Sequence, residues 1–195
     1  MTAIPAVADT VSFGTTSSPA GFGVAGDVFT FTPGTITDLL VGTTPVVLNG
    51  QSTTQSFGGF SITGGNGSCA VLCSTALKID VTPTNINGTP VAAAPLIFDG
   101  SISYSGGVNG SYSLTFAAGD GAVAGTGAYT GDIVHTVGNL TYAVPDSTSL
   151  TNKPSSFFVT GIVGAVAPEP GTLATTGLAA AFLGMFLRRK AKQTS

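Results

Sequence analysis

Histidine, the residue type most often used for acid–base catalysis near neutral pH, occurs once in this chain of 195 residues, at position 135. A serine–histidine–aspartate site needs this imidazole beside an activated hydroxyl group and a carboxylate. Serine and aspartate are plentiful, but the chain lacks the Gly-x-Ser-x-Gly motif of a nucleophile elbow. His135 shares one face of an alternating strand pattern with Ile133 and Val137. We therefore predict a structural role for His135 and no enzymatic activity; a secreted hydrolase is the least favoured alternative.

The acidic residues ahead of the C-terminal tail are eight aspartates, with no glutamate among them. Glycosidases usually need two carboxylates about 5–10 Å apart, and no two of these aspartates are close in sequence. Four of the eight stand beside glycine, where aspartate is ordinary turn chemistry. Aspartates can also ligate calcium, but no Asp-x-Asp-x-Asp loop is present. The sequence thus predicts no catalytic pair, no metal site and no cofactor, with a calcium site as the alternative.

The two cysteines, Cys69 and Cys73, are separated by three residues and follow the glycine-rich stretch Gly64-Gly65-Asn66-Gly67. In an oxidising compartment such a pair can close a small disulfide loop. A metal site would need further ligands, and the histidine is far away in sequence. We predict a disulfide between Cys69 and Cys73; two free thiols are the alternative.

Charge is scarce and unevenly distributed. Charged residues make up 8% of the chain, and the formal net charge is −3. Four of the six basic residues fall in the last eight positions, which leaves only Lys78 and Lys153 in the body. An acidic body with two lysines cannot neutralise a run of phosphates, so the sequence excludes nucleic acid as a partner.

The C-terminal end combines three elements in order. The motif Pro168-Glu169-Pro170 comes first, and the uncharged run from Gly171 to Leu187 follows it. As a helix this run would span about 25 Å, near the lower limit for crossing a hydrocarbon core about 30 Å thick. The basic residues after the run would stay in the cytoplasm, which places the body on the other side of the membrane. They are Arg188, Arg189, Lys190 and Lys192.

This tail resembles the PEP-CTERM sorting signal, which consists of a Pro-Glu-Pro motif, a short hydrophobic helix and a basic end. The resemblance covers about the last thirty residues. It implies recognition by exosortase, a membrane-embedded transpeptidase that cuts near the motif, in bacteria that often make exopolysaccharide and biofilm matrix. Such tails have also been labelled the C-terminal region of ice-binding proteins. A plain single-pass anchor with a stiff Pro-Glu-Pro linker is the alternative.

At the N-terminus, Ala6-Val7-Ala8 has the small-x-small form of a signal-peptidase site, with Asp9 as the first mature residue. No charged region followed by an apolar region precedes it. We therefore expect that residues 1–8 are the remnant of a signal peptide whose start codon lies upstream. An ordinary flexible N-terminus is the alternative.

The body between these ends reads as short strands separated by turns, without helical periodicity. This pattern predicts an all-β domain over residues 9–165, an antiparallel β-sandwich or jelly roll. A Pro-Glu-Pro linker over 166–171, a transmembrane helix over 172–187 and a basic tail over 188–195 follow it. The predicted strands are Asp27–Thr32, Pro45–Leu48, Ser56–Thr63, Ala76–Thr82, Leu96–Tyr104, Ser111–Ala117, Val123–Thr130, Ile133–Val144 and Ser156–Val163. The predicted turns lie at Asn49-Gly50, Asn87-Gly88, Asp99-Gly100, Asn109-Gly110 and Gly119-Asp120-Gly121.

Phenylalanine should supply much of the core, at positions 29, 31, 57, 60, 98, 116, 157 and 158. The pairs Thr30/Thr32, Thr35/Thr37 and Thr82/Thr84 would each share one strand face. Regular threonine rows could match an ice lattice, but these pairs show no repeat and indicate exposed strand faces.

Together these features predict an exported, non-enzymatic protein of the bacterial surface or matrix. Its partners would be an exosortase-type transpeptidase, the membrane, and exopolysaccharide or further copies of the same chain. A carbohydrate- or ice-binding module is the main alternative, and it would show a flat aromatic or threonine-lined face.

Overall fold

The computed structural model describes residues 8–42, 44–64, 73–105, 110–151 and 154–165. These residues form an all-β structure in which the only helix is one short turn of 3-10 helix, Gly127–Tyr129. The strands are β1 (Asp9–Ser18), β2 (Gly21–Val24), β3 (Asp27–Thr32), β4 (Thr35–Val41), β5 (Val46–Leu48), β6 (Gly59–Gly64), β7 (Cys73–Ile86), β8 (Thr89–Pro90), β9 (Leu96–Ser105), β10 (Ser111–Ala117), β11 (Val123–Ala124), β12 (Asp132–Val137), β13 (Leu140–Pro145), β14 (Ser147–Leu150), β15 (Ser156–Phe158) and β16 (Gly161–Ala165).

The described strands pair in three antiparallel sheets. The seven-stranded sheet has the order β14-β10-β9-β7-β1-β4, with β8 paired to β7. The five-stranded sheet has the order β11-β12-β13-β16-β5, and the four-stranded sheet has the order β15-β6-β3-β2. The antiparallel, all-β character predicted from the strand pattern is confirmed.

One hydrophobic core is common to the three sheets. Phe13 of the seven-stranded sheet meets Tyr142 of the five-stranded sheet edge to face, with ring centroids 5.5 Å apart. Phe29 of the four-stranded sheet meets Tyr112 of the seven-stranded sheet in the same way, at 5.0 Å. Such aromatic contacts add to the free energy gained by burying apolar area. Each sheet therefore depends on the others to cover its apolar face.

Several predicted strand boundaries are wrong, for identifiable reasons. The predicted strand Val123–Thr130 stops at Ala124 and gives way to the 3-10 turn, since Gly125 and Gly127 interrupt it. The predicted strand Ile133–Val144 is a hairpin, β12 and β13, which turns at Gly138 with φ 60°. The predicted turn at Asp99-Gly100 lies inside β9. A Cβ atom at Gly100 would stand 2.8 Å from the Phe116 ring, so this glycine serves close packing within a strand.

The predicted aromatic core is confirmed at seven positions and wrong at Phe158. Phe29, Phe31, Phe57, Phe60, Phe98, Phe116 and Phe157 are all buried. Phe158 is half-buried and follows Phe157 directly in β15. Neighbouring residues of a strand point to opposite faces. Phe158 therefore lies on the outer face of the four-stranded sheet.

The predicted sorting segments lie outside the described residues. These segments are residues 1–7 of the signal remnant, the motif Pro168-Glu169-Pro170, the helix 172–187 and the basic cluster at 188–192. Within the described part of the chain, no helix is long and apolar enough to cross a membrane.

Candidate functional site: a hydroxyl-lined sheet face

Strict alternation along β9 and β10 sends serine and threonine to the outer face of the seven-stranded sheet. In β10 the buried residues are Tyr112, Leu114 and Phe116, and in β9 Ile102 and Tyr104 are buried. The residues between them are hydroxyl-bearing, and they point away from the core because the side-chain period of a strand is two.

The strand register aligns these hydroxyl groups in two parallel rows, which we call the hydroxyl face. Each row crosses β14, β10, β9 and β7, with about 4.8 Å between strands and about 6.7 Å between rows. Seven of the eight positions carry a hydroxyl group. The first row is Ser149, Ser113, Ser103 and Ser74, and the second row is Ser147, Thr115, Ser101 and Ala76.

The hydroxyl face combines preorganised and accessible groups. Ser74, Ser147 and Ser149 are exposed at its two sides, while its central residues are half-buried. In the second row the side-chain oxygens of Ser101 and Thr115 lie 3.0 Å apart and share a hydrogen bond. Because a hydroxyl group both donates and accepts, such a surface can match another polyhydroxylated surface in more than one orientation.

A charged cluster borders the second row. Lys78 donates to Asp120 at 2.8 Å and forms an ion pair with Asp99 at 2.9 Å. The hydrogen bonds to Asp120 and then Asp99 raise the pKa of Lys78 well above its usual range, and Lys78 holds the pKa of Asp120 below its usual value. All three side chains are at least one-third exposed, so water screens their attraction. The charged side chains therefore lie beside the two hydroxyl rows, and the eight row positions themselves carry no charge.

His135 is buried in the core, as its place in the strand pattern predicts. Only 6% of its surface is exposed. Its Nε2 lies 2.7 Å from the carbonyl oxygen of Ile97, and its ring meets Phe98 edge to face at 5.0 Å. These contacts fix the imidazole between the five-stranded and seven-stranded sheets, and they give it a packing role.

The calcium site, which the sequence leaves as an alternative, and the predicted disulfide are the remaining chemical questions. Within the described ranges, no three histidine, cysteine, aspartate or glutamate side chains come together in a way that could hold a metal ion. Cys73 begins β7 and is half-buried, whereas Cys69 lies outside the described residues. The Cys69–Cys73 disulfide stays a prediction.

Two of the three threonine pairs lie on exposed strand faces, as predicted, whereas in the third pair, on β7, Thr84 is exposed and Thr82 is half-buried. Thr30 and Thr32 are exposed on β3, and Thr35 and Thr37 are exposed on β4. These threonines do not belong to the rows of the hydroxyl face, which consist of six serines, Thr115 and Ala76. The Ser-x-Ser alternation of Ser101-Ile102-Ser103 and of Ser111-Tyr112-Ser113 is the sequence signal that would have found them.

No family model, curated protein or solved structure matches this chain. Its function is therefore inferred from the side chains and their geometry.

Proposed function

We propose that this protein is an exported structural or adhesive component of a bacterial surface or extracellular matrix, with the hydroxyl face as its contact surface for exopolysaccharide. The observation that supports this function is the pair of aligned, uncharged hydroxyl rows across β14, β10, β9 and β7. A polysaccharide presents hydroxyl groups at regular intervals along its length, and the rows offer a matching series.

Such contacts suit adhesion rather than tight capture. Each hydrogen bond exchanged with water contributes only about 0.5–1.5 kcal/mol net. Many weak contacts along one polymer raise the overall avidity without any single strong site. An extended surface with few charges therefore favours a matrix component that holds a polymer at many points.

We further propose that the three sheets form an antiparallel β-sandwich of the jelly-roll type. The support is their shared core, which covers the inner face of each sheet. This arrangement would leave the outer face of the seven-stranded sheet free for the polymer.

The sorting route proposed here rests on the C-terminal sequence. An exosortase-type transpeptidase would recognise Pro168-Glu169-Pro170, with the helix 172–187 in the inner membrane and the basic cluster at 188–192 in the cytoplasm. Cutting near the motif would then pass the body to the cell surface or matrix. A carbohydrate- or ice-binding module on the cell surface is the second candidate, because the hydroxyl groups repeat in register along two rows.

Binding of the matrix polymer tests the hydroxyl face. The full chain, in a mild detergent, is sedimented with exopolysaccharide isolated from its native host. Replacing Ser101, Ser103 and Ser113 together by alanine should reduce the bound fraction severalfold, since three central hydroxyl groups are lost. The matched control is the double variant Thr35→Ala and Thr37→Ala, which removes exposed hydroxyl groups elsewhere and should bind like wild type. Equal binding by the triple variant would rule out this face as the contact surface.

Ice binding is separated by a different measurement on the same variants. If the protein slows ice recrystallisation and the triple variant loses that effect while binding of exopolysaccharide is unchanged, the ice-binding candidate replaces the matrix function.

Mass spectrometry of the protein from fractionated host cells tests the sorting route. The expected mature form begins near Asp9, ends between Pro168 and Gly171, and is found outside the cell. An intact tail in the inner membrane would mean a simple anchor, and the exosortase proposal would be dropped.

A further inference from the structure

The outer face of the four-stranded sheet contains a depression bordered by an aromatic ring. Strand register places Gly59 between Thr32 of β3 and Phe158 of β15. A Cβ atom at position 59 would stand 2.7 Å from Cδ1 and 2.9 Å from Cε1 of Phe158. The Phe158 ring therefore lies directly against the backbone of Gly59. Any larger residue at position 59 would occupy the space of the ring.

Two further features hold the Phe158 ring in place. A Cβ atom at Gly50, where φ is +70°, would stand 3.3 Å from Cβ of Phe158, so a second glycine lies against the base of this side chain. On the inner side of the same strands, Phe60 and Phe157 stack with centroids 5.2 Å apart. The Phe158 side chain is thus held by its neighbours, and it is half-buried.

The exposed surface of the depression is mainly carbon, from Phe60, Phe157, Phe158 and Gly59 among others, and hydroxyl-bearing residues stand at its border; none of the described lining residues is charged. The depression has a volume of about 200 Å³ and is bordered by Thr32, Thr53, Ser61, Ser156 and Phe158. Thr32, Ser61 and Ser156 are exposed. An ionised ligand would lose hydration here without gaining a charged partner, which disfavours it. A purely apolar ligand would leave the surrounding hydroxyl groups unused.

We infer that this depression is a subsite for one pyranose unit of a neutral polysaccharide. The C–H face of the sugar ring lies on Phe158, and the hydroxyl groups of the sugar exchange hydrogen bonds with Thr32, Ser61 and Ser156. A flat aromatic surface for the ring and hydroxyl partners at its rim together match this chemistry, and the volume limits the occupant to about one sugar ring. The inference rests on the proposed polysaccharide contact, and it adds a second point of attachment, on a different sheet from the hydroxyl face.

Affinity electrophoresis of the full chain tests the subsite. The protein, in a neutral detergent, is run in native gels that contain dextran, hydroxyethylcellulose, galactomannan or the anionic polymer alginate. We expect at least one of the three neutral polymers to retard the wild type, with little effect of alginate. Phe158→Ala should weaken that retardation about tenfold, because the stacking surface is removed. Gly59→Ala should weaken it as well, because the new methyl group displaces the ring.

Three comparisons keep a folding defect apart from a loss of binding. Val28→Ala removes an exposed apolar side chain from the same sheet face and should migrate like wild type. Phe158→Tyr keeps the aromatic ring and should retain retardation. Ser61→Ala leaves the ring untouched and should weaken retardation by a smaller factor than Phe158→Ala. Wild-type retardation in Phe158→Ala, or no retardation of the wild type by any neutral polymer, would overturn the subsite.

The hydroxyl face and the subsite can fail separately. If Phe158→Ala loses neutral polymers while the triple serine variant still binds host exopolysaccharide, the subsite stands and the hydroxyl face is rejected. If the triple variant loses the host polymer while Phe158→Ala migrates like wild type in every neutral gel, the proposed function stands without this subsite.

Discussion

At the scale of single residues, Asp9 connects the first strand to two distant turns. Its carboxylate is 9% exposed and accepts hydrogen bonds from the side-chain amides of Asn87, at 2.7 Å, and of Asn139. Asn87 lies in the β7–β8 turn and Asn139 in the β12–β13 turn. One buried carboxylate thus connects β1 to turns of the seven-stranded and five-stranded sheets.

Asp9→Asn should lower the free energy of unfolding by about 1–3 kcal/mol. Asparagine keeps one acceptor oxygen, so its NH2 group would face the donor of either Asn87 or Asn139, and one hydrogen bond at a buried position would be lost. Urea unfolding at pH 7 measures the change. Asp38→Asn is the control, because it removes the same charge from an exposed position whose φ of 51° asparagine tolerates. Equal stabilities of the two variants would show that the Asp9 contacts contribute nothing.

Asp132 and Asp120 should respond oppositely to pH. Burial, together with nearby Asp146, raises the pKa of Asp132, whereas Lys78 lowers the pKa of Asp120. If the pKa of a group is raised in the folded state, stability is lost as the pH rises through that pKa. If the pKa is lowered in the folded state, stability is lost as the pH falls through it. At pH 7, Asp132→Asn should therefore raise Tm and Asp120→Asn should lower it slightly. Both differences should shrink towards pH 3, and shifts of the same sign at pH 7 would contradict the assignment.

At the scale of elements, tight turns depend on backbone conformation more than on packing. The β7–β8 hairpin turns at Asn87 and Gly88, with φ of 53° and 77°. Two successive positive φ values are the pattern of a type I′ turn, which matches the twist of the paired strands. The Asn-Gly signal predicted this turn from sequence, and Asp120-Gly121, with φ of 47° and 89°, repeats it between β10 and β11.

Two glycine variants separate backbone strain from crowding. A Cβ atom at Gly88 or at Gly14 would meet no heavy atom within 4 Å, but only Gly88 has a positive φ. Gly88→Ala should therefore cost about 1–2 kcal/mol of stability, while Gly14→Ala should be neutral or stabilise by up to about 1 kcal/mol. Urea unfolding compares the two. A neutral Gly88→Ala would show that the turn relaxes into another type.

At the scale of the whole molecule, exposed apolar side chains gather at sheet edges. Among the described residues, Leu40, Val47 and Val123 are between 59% and 64% exposed. They stand on β4, β5 and β11, which are edge strands of the seven-stranded and five-stranded sheets. An edge strand with apolar side chains and few charges favours pairing with another chain. This arrangement supports the proposal that copies of the protein associate in the matrix.

Replacing both Leu40 and Val47 by lysine should shift the protein towards monomer. The two positive charges oppose edge-to-edge contact, because they would have to be buried in it. Light scattering after size-exclusion chromatography, over a range of protein concentrations in one detergent, measures the average mass. Thr30→Lys with Thr63→Lys adds the same charge to exposed positions of β3 and β6, which are interior strands of the four-stranded sheet, and serves as the control. Self-association through these edges is rejected if the mass of the Leu40/Val47 variant follows the wild type at every concentration.

The chain's own alternation determined that the body is antiparallel and all-β, because a side-chain period of two is a local property of extended backbone. The same local rule gave β3 and β10 at their observed bounds, and the two Asn-Gly and Asp-Gly turns. The order of the Pro168-Glu169-Pro170 motif, the apolar run and the basic end is likewise a property of the sequence alone. The proposed export and surface localisation of the protein rest on this order.

Only the tertiary structure decided which hydroxyl groups lie together and which aromatic ring faces outwards. The rows combine residues from Ser74 to Ser149, and their alignment depends on the register between four strands, which short-range patterns leave open. The depression that Phe158 borders depends on the close approach of Phe158 to the glycines at positions 50 and 59, which lie about a hundred residues earlier in the chain. The composition is rich in serine, threonine and glycine. Only the pairing of distant strands fixes the distances between these residues, so the tertiary structure determines which of them form a common surface.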